Sequence, residues 1–252
     1  MQYLKMDRDF LAGLWLSSGS VTAAEIAGAA GFDWLLIDGE HGLASESGIL
    51  EILRALAAST ACPVVRIPSH DSPLLGRVLD FGAGGIMAPG VESADEARQL
   101  VQRMRYPPRG KRGLTASSRA AGHGSQFKTY FSEANEKLAL IAQIETADGV
   151  AHADEIAAVD GVSALFVGHS DLSLNLGVFG DWEHDALKAA ESRVIAACRK
   201  SGKLPGMLLK SGQSPAPYRE KGFRLIALGT DSGLLRSGCA SLLAGWRQAP
   251  AT

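Results

Sequence analysis

Two carboxylates close two neighbouring apolar runs in this chain, and a shared divalent metal is the chemistry their pairing suggests. Glu145 ends the run Leu138-Ala-Leu-Ile-Ala-Gln-Ile-Glu145, and Asp171 follows Ala164-Leu-Phe-Val167 through Gly168-His-Ser-Asp171. Runs this apolar read as core strands, and a core strand has no reason to end in an unpaired acid unless a cation stands there. A hard ion such as Mg²⁺ or Mn²⁺ accepts two protein oxygens and completes its shell with water and substrate. The competing role for each acid is to cap the helix that follows it. Other groups with chemical potential sit at similar places. His41 follows Asp38 by three residues, so one carboxylate can orient the ring as a general base. Arg66 interrupts Pro63-Val-Val-Arg-Ile67, and a buried guanidinium needs an anion, whether structural or supplied by a substrate. The turn Gly168-His169-Ser170 precedes a helix, where backbone N–H groups can hold a carboxylate or phosphate.

Groups so far apart in sequence act together only if one scaffold brings them to one place. Apolar runs and amphipathic segments alternate throughout. Strand-like runs are Ala12–Leu16, Trp34–Ile37, Pro63–Ile67, Gly85–Ala88, the run ending at Glu145, Ala164–Val167, Leu204–Leu209 and Arg224–Leu228. Helices are expected over Thr22–Ala30, with Thr22 and Glu25 as a capping box, and over Ser45–Ala58, Ser72–Phe81 and Ser93–Met104. Further helices are expected over His152–Ala158, Ala186–Ser201 and Gly233–Trp246. The Gly- and Pro-rich stretch from Tyr106 to Thr129 breaks the rhythm, as functional or mobile loops do. Eight alternations without a linker point to a single (β/α)₈ barrel domain, an α/β fold of the TIM type, over residues 1–252. A doubly wound sheet would also alternate, but no G-x-G-x-x-G follows the first strand.

In such a barrel the carboxyl ends of all strands face one mouth. The first strand brings Trp15; the second, Asp38, Glu40 and His41; the third, Arg66 and, beyond it, His70 and Asp71. The fifth brings Gln143 and Glu145; the sixth, His169, Ser170 and Asp171; the eighth, Asp231. Carboxylates, an arginine, an imidazole and an amide on one face suit metal-assisted chemistry on an anionic substrate.

Composition excludes other classes. The 252 residues are 46% hydrophobic, with 25 basic and 27 acidic side chains and a net charge of −2. No basic cluster exceeds Arg109-Gly-Lys-Arg112, so neither nucleic acid nor an anionic membrane is an expected partner. Phe10–Ala24 is too short and too broken by Gly and Ser to span a bilayer, and no signal-peptide core precedes it, which leads us to expect a cytoplasmic setting. Cys62, Cys198 and Cys239 form no C-x-x-C and read as buried, inert thiols. The remaining histidines lack metal-binding spacing, and no G-x-S-x-G occurs.

Gly13-Leu-Trp15, Gly31-Phe-Asp-Trp34, Asp38-Gly-Glu-His-Gly42, Pro63-Val-Val-Arg66, Tyr106-Pro-Pro108 with Arg112-Gly113, Gln143-Ile-Glu145 and Gly168-His-Ser-Asp-Leu172 together resemble the metal-dependent, pyruvate-specific class II aldolases. That family includes 4-hydroxy-2-oxoheptanedioate and 5-keto-4-deoxyglucarate aldolases. The resemblance implies a barrel whose C-terminal helix is swapped between subunits of a homohexamer, a trimer of dimers. It implies Glu145 and Asp171 as ligands of Mg²⁺ or Mn²⁺ (Co²⁺ being a third option), with Gln143 beside them. Arg66 would polarise the keto oxygen, His41 oriented by Asp38 and Asp80 would serve proton transfer, and Trp15 would line the aldehyde end. The backbone of Gly168 and Ser170 would hold the pyruvate carboxylate. The activity implied is reversible aldol cleavage of a 4-hydroxy-2-oxo acid to pyruvate and an aldehyde. Oxaloacetate decarboxylation, malyl-thioester cleavage, or oxo-acid binding with little turnover are the alternatives. One position departs from the family turn, Gly-Pro-(Ala/Ser/Thr)-Asp: His169 stands where proline is usual, which frees the backbone and is expected to add a titratable group beside the metal.

Overall fold

Eight parallel strands close on themselves in sequence order, β1 to β8. The structure is a computed structural model and describes residues 1–248. The order is β1 (Leu11–Leu16), α1 (Val21–Ala29), β2 (Trp34–Asp38), α2 (Glu46–Ala55), β3 (Cys62–Arg66), α3 (Leu74–Phe81), β4 (Gly85–Ala88), α4 (Ala94–Met104) and α5 (Phe127–Lys137). Then come β5 (Ala139–Ile144), α6 (Ala147–Ala151), α7 (Ala153–Ala157), β6 (Val162–Val167), α8 (His169–Asn175), α9 (Asp185–Ser201), β7 (Leu204–Leu208), α10 (Ala216–Lys221), β8 (Leu225–Thr230) and α11 (Asp231–Gln248). This is the (β/α)₈ barrel expected from the alternation.

Period-2 alternation sorts each strand between two cores. Leu11, Trp15, Trp34, Leu36, Cys62, Val64, Met87, Ile141, Phe166 and Leu225 fill the barrel interior. Their neighbours Leu14, Leu35, Ile37, Val65, Ile86, Leu140, Leu165 and Ile226 face the helices. Gly13 is the inward residue opposite Trp34 in the β1–β2 register, and a Cβ there would stand 2.2 Å from the indole. Glycine at 13 is therefore what admits Trp34 to the barrel axis.

Two helix starts differ from expectation. Gly19, at φ 68°, turns the chain so that Ser20 rather than Thr22 caps α1, accepting from the Ala23 N–H at 3.2 Å. The third helix begins at Leu74, because Pro73 occupies the cap and brings no N–H of its own. Ser93 and Glu96 form the capping box of α4. Pro205 is accommodated within β7, paired with Leu165.

The Gly- and Pro-rich stretch before α5 is docked rather than loose. Arg119 donates to the carbonyls of Phe81 (2.6 Å) and Leu53 (3.1 Å), and Arg112 pairs with Asp80 at 2.6 Å. Arg119 satisfies carbonyls near the ends of α2 and α3, and the Asp80 that Arg112 holds is also near the end of α3, so both arginines sit at the face opposite the mouth. The first and last strands meet through Asp231, whose carboxylate accepts from the Ser17 N–H (3.0 Å) and the Ser18 N–H (3.2 Å). Beyond it, α11 leaves Leu235, Leu242 and Trp246 more than two-thirds exposed, at 71, 78 and 78%. Cys239 lies on this uncovered helix and is exposed, contrary to the expectation of a buried thiol, while Cys62 and Cys198 are buried. Among the described residues, no helix is long and apolar enough to cross a membrane.

Candidate active site

The polar residues of the mouth continue the inward-facing rows of the apolar interior. Asp38 follows Trp34 and Leu36, Arg66 follows Cys62 and Val64, and Gln143 follows Ala139 and Ile141. Asp38 and Arg66 are register partners on β2 and β3, so neighbouring strands deliver a carboxylate and a guanidinium side by side. Arg66 Nε and Nη2 donate to Asp38 Oδ1 (2.9 Å) and Oδ2 (2.7 Å) in a bidentate pair. Trp15 Nε1 donates to Asp38 Oδ2 at 3.1 Å, and the guanidinium carbon lies 4.8 Å from the Trp15 ring centroid. Burial raises the pKa of Asp38, but the hydrogen bonds and charge of Arg66 outweigh it and hold the carboxyl below its ordinary value. Arg66 is thus fixed on one edge while Nη1 reaches Glu40 at 2.9 Å.

Across the mouth stand Glu145 and Asp171, which have no such partner among the described residues. They line one recess together with Glu40 and His41. Burial, then the charges of Asp171 and Glu40, push the pKa of Glu145 up to about 7, against smaller opposing effects of the Gly90 N–H and Gln143. Glu40 is also raised, by burial first, with Asp38 and Asp171 adding to it against Arg66 and His41. Gln143 Nε2 donates to Glu145 Oε2, while its buried Oε1 has no partner among the described residues. Gly168 contributes by what it lacks: a Cβ there would stand 2.6 Å from Glu145 Oε2 and 2.9 Å from Gln143 Nε2. Carboxylates and an orphaned amide oxygen are the donor type that a hard cation takes, but among the described residues no three His, Cys, Asp or Glu side chains converge on one point, so two carboxylates and the amide are the donors on offer.

Four expectations need correction. Asp38 accepts from the backbone N–H of His41 (3.1 Å), not from its ring; the ring is exposed, with Nε2 3.9 Å from Glu40 Oε1. Arg66 and Trp15 have already claimed the oxygens that face the barrel. Asp80 does not reach His41 within this chain, because it ends α3 at the opposite face and pairs with Arg112. The Gly168 N–H is committed to the Ile144 carbonyl at 3.0 Å, which leaves Ser170 as the donor of the expected pair. The first intrahelical bond of α8 is Leu172 N–H to the Gly168 carbonyl, so the Ser170 N–H precedes it. Finally, the His169 ring does not stand beside the carboxylates: Nε2 is 2.8 Å from Glu191 Oε1 on α9, behind the barrel wall.

His70 is taken by the Pro89 carbonyl (2.5 Å), Asp71 by Ser69 (2.7 Å) and Asp231 by the serines of the β1 turn, so these three serve structure. Residues that sequence reasoning gave no role also appear. Glu40 bridges Arg66 to the carboxylate group. Phe166, the inward residue before Gly168, packs on Trp15 at 5.8 Å between ring centroids. Trp15, His41, Arg66, Gln143, Phe166 and Asp171 border a cavity of about 680 Å³, which adjoins the carboxylate recess through His41 and Asp171.

Known proteins share both chain and architecture. The family described as HpcH/HpaI aldolase/citrate lyase matches residues 11–238. The chain is 44% identical over 231 residues to a hydroxypyruvate/pyruvate aldolase of Paraburkholderia phytofirmans, covering 89% of this chain and 88% of that protein. It is 41% identical over 237 residues to a 4-hydroxy-2-oxovalerate aldolase of Novosphingobium aromaticivorans, covering 94% and 90%. The crystal structure of an HpcH/HpaI aldolase/citrate lyase family protein from Burkholderia cenocepacia superposes with a TM-score of 0.92 at 39% identity, over 96% of this chain and 97% of that one. With its match running from the first strand into the last helix, this chain belongs to the HpcH/HpaI aldolase/citrate lyase family.

Proposed function

We propose that this chain is a carbon–carbon lyase that reversibly cleaves a 4-hydroxy-2-oxo acid to pyruvate and an aldehyde. The observation that carries the reading is the division of the mouth: a guanidinium fixed on one side, and carboxylates short of a cation on the other. Glu145 and Asp171, with the free oxygen of Gln143 nearby, are the residues that would hold a divalent ion. Relatives in this family are as a rule divalent-metal dependent, and Mg²⁺ or Mn²⁺ suits oxygen donors, as does Co²⁺ less selectively. When bound, the ion supplies positive charge to the oxygens of the oxo acid.

The residues of the chain then divide the work. Arg66, held by Asp38 and Trp15, presents its guanidinium to the keto oxygen. As the C3–C4 bond breaks, its electron pair moves toward that oxygen, and a preoriented cation stabilises the enolate without rearranging. His41, exposed at the cavity edge, takes the C4 hydroxyl proton as the aldehyde carbonyl forms. Delivery of a proton to C3 then turns the enolate into pyruvate, and in the synthetic direction both transfers run in reverse. The Ser170 N–H points the carboxylate of the oxo acid, and Trp15 and Phe166 line the apolar side where the aldehyde leaves. Gly168 keeps room for Glu145 and Gln143.

Oligomerisation belongs to the same proposal. The exposed Leu234, Leu235, Leu242, Leu243 and Trp246 of α11 support a homo-oligomer, with this helix exchanged between subunits of a hexamer built as a trimer of dimers. A cytoplasmic setting, with all three cysteines free, completes it. The test is pyruvate release from 4-hydroxy-2-oxo acids with and without chelator. Cleavage that persists in chelator would remove the metal from the scheme. Carbon dioxide release from oxaloacetate, thioester cleavage, or oxo-acid binding without any aldol turnover would replace the reading with one of its rivals.

A further inference from the structure

Outside the mouth, one buried carboxylate has an imidazole and an ammonium as partners and no part in the aldol chemistry. Glu191 is 5% exposed in the middle of α9. Its Oε1 meets His169 Nε2 at 2.8 Å, and its Oε2 takes the Lys221 ammonium at 3.0 Å from the end of α10. His169 packs against Phe223 at 6.3 Å between ring centroids. Surface ion pairs of this kind contribute little, but here the His169 and Glu191 side chains are only 13% and 7% exposed, so solvent cannot replace either partner.

The location of the contact gives it meaning. His169 is the first residue of α8, between Gly168 and Ser170, and Asp171 follows two residues later. The cap position is Gly168, which has no side chain to anchor this end of a seven-residue helix. On the outer side the polar tie between the turn and the rest of the protein is the His169 ring, beside the packing of the buried Leu172. We propose that Glu191 is a positioning residue for the oxo-acid-binding turn: through His169 it fixes the Gly168–Asp171 backbone, and with it the Ser170 N–H and the Asp171 carboxylate, while Lys221 holds the second oxygen of Glu191. The proposal rests on the aldolase reading only for what the turn binds.

The same geometry supplies a rescue. His169 is at the first helical position, where an N–H has no intrahelical partner, and Gly168 has φ −83° and ψ 78°, outside the helical region. Proline fits such a position and fixes φ covalently. It can do through its ring what Glu191 does from a distance.

The test compares Glu191→Ala, Glu191→Gln and the double variant His169→Pro/Glu191→Ala. Three quantities are read: steady-state kinetics, Mn²⁺ affinity by electron paramagnetic resonance without substrate, and hydrogen exchange of the peptide carrying 168–175. Glu191→Ala is expected to raise KM and weaken Mn²⁺ binding by roughly 10- to 100-fold, as loss of a supporting contact does, with kcat nearly unchanged. Exchange in the peptide should rise. Glu191→Gln, which keeps an acceptor for His169, and the proline double variant should both return toward the starting values. Unchanged KM and Mn²⁺ affinity in Glu191→Ala, or a double variant no better than Glu191→Ala, would overturn the proposal. Should Glu191→Ala fail to fold, His169→Ala removes the same contact from the other side and is read the same way. An unaltered chain inactive on every 4-hydroxy-2-oxo acid would sink the aldolase reading, and the exchange comparison would still decide the role of Glu191.

Discussion

Two carboxylate groups lie on either side of the wall formed by β6 and α8, and they are built in opposite ways. Inside, Glu145 is half-buried with Asp171 and Glu40 nearby, and its pKa rises to about 7. Outside, Glu191 is buried, and burial alone would raise it, but His169 and Lys221 bring it below its ordinary value. Burial is common to both, so it does not separate them; what differs is whether the chain brings its own cation. A carboxylate that the fold has already neutralised is holding the fold together. One left among like charges is waiting for something that the chain does not contain.

The largest expected effect is from removing the unsatisfied side. Glu145→Ala should abolish Mn²⁺ binding and cut pyruvate release by at least roughly a thousandfold, with the circular dichroism spectrum intact. Activity retained in that variant would erase the distinction between the two groups. Next is Arg66→Lys, which replaces a planar fork by a point charge and loses the bidentate hold of Asp38; kcat should fall by roughly 100-fold with a smaller change in KM. Third is pH. A proton on Glu145 competes with the metal, so Mn²⁺ affinity should climb about tenfold per unit as pH rises toward 7 and level off above it, as calorimetric titration would show.

The metal-free protein sharpens the same contrast through stability. Glu145 holds in the folded state a proton that the unfolded chain releases near 4.5, so its effect is to lower stability as pH rises from about 4.5 to about 7. Glu191 works with the opposite sign: its depressed pKa adds stability above its ordinary value of 4.5, which is lost as pH falls through the folded value. Thermal melts of Glu145→Gln and Glu191→Gln across this range should each lose one of the two slopes. Equal profiles would mean that the charges are solvated alike. The smallest effect is expected of Trp15→Phe, which removes one of several donors to Asp38 and should cost kcat/KM a few-fold, or about 1 kcal/mol.

Much of the mouth was legible because a strand has a period of two. Once Leu36 and Val64 are read as interior, Asp38 and Arg66 must point the same way, and Gln143 follows on β5 with Glu145 just beyond its end. His169 was not legible in this way. Its position beside Ser170 and Asp171 suggests a group in the site, but direction at the first turn of a helix depends on what the next layer offers, and that was Glu191, 22 residues on. A trace of this was present in α9, where Leu187, Ala190, Glu191, Val194, Ile195 and Cys198 form one buried stripe with a single acid in it. Asp80 failed for a similar reason: its partner, Arg112, comes from a loop 32 residues away whose course no local pattern determines.

The clasp of Asp231 on Ser17 and Ser18 bears on the order in which the molecule assembles. Ser17 and Asp231 are 214 residues apart in the chain, whereas every other pair of adjacent strands is joined by a far shorter crossover, the longest being 89–138 between β4 and β5. Closing so long a loop carries the greatest entropic penalty in the barrel, so β1 and β8 are expected to join last on the way in and to part first on the way out. Synthesis must run 214 residues beyond Ser17 before Asp231 exists, and until then β1 has a free edge. The serines of its turn therefore wait through the making of seven further strands for the residue that completes the ring.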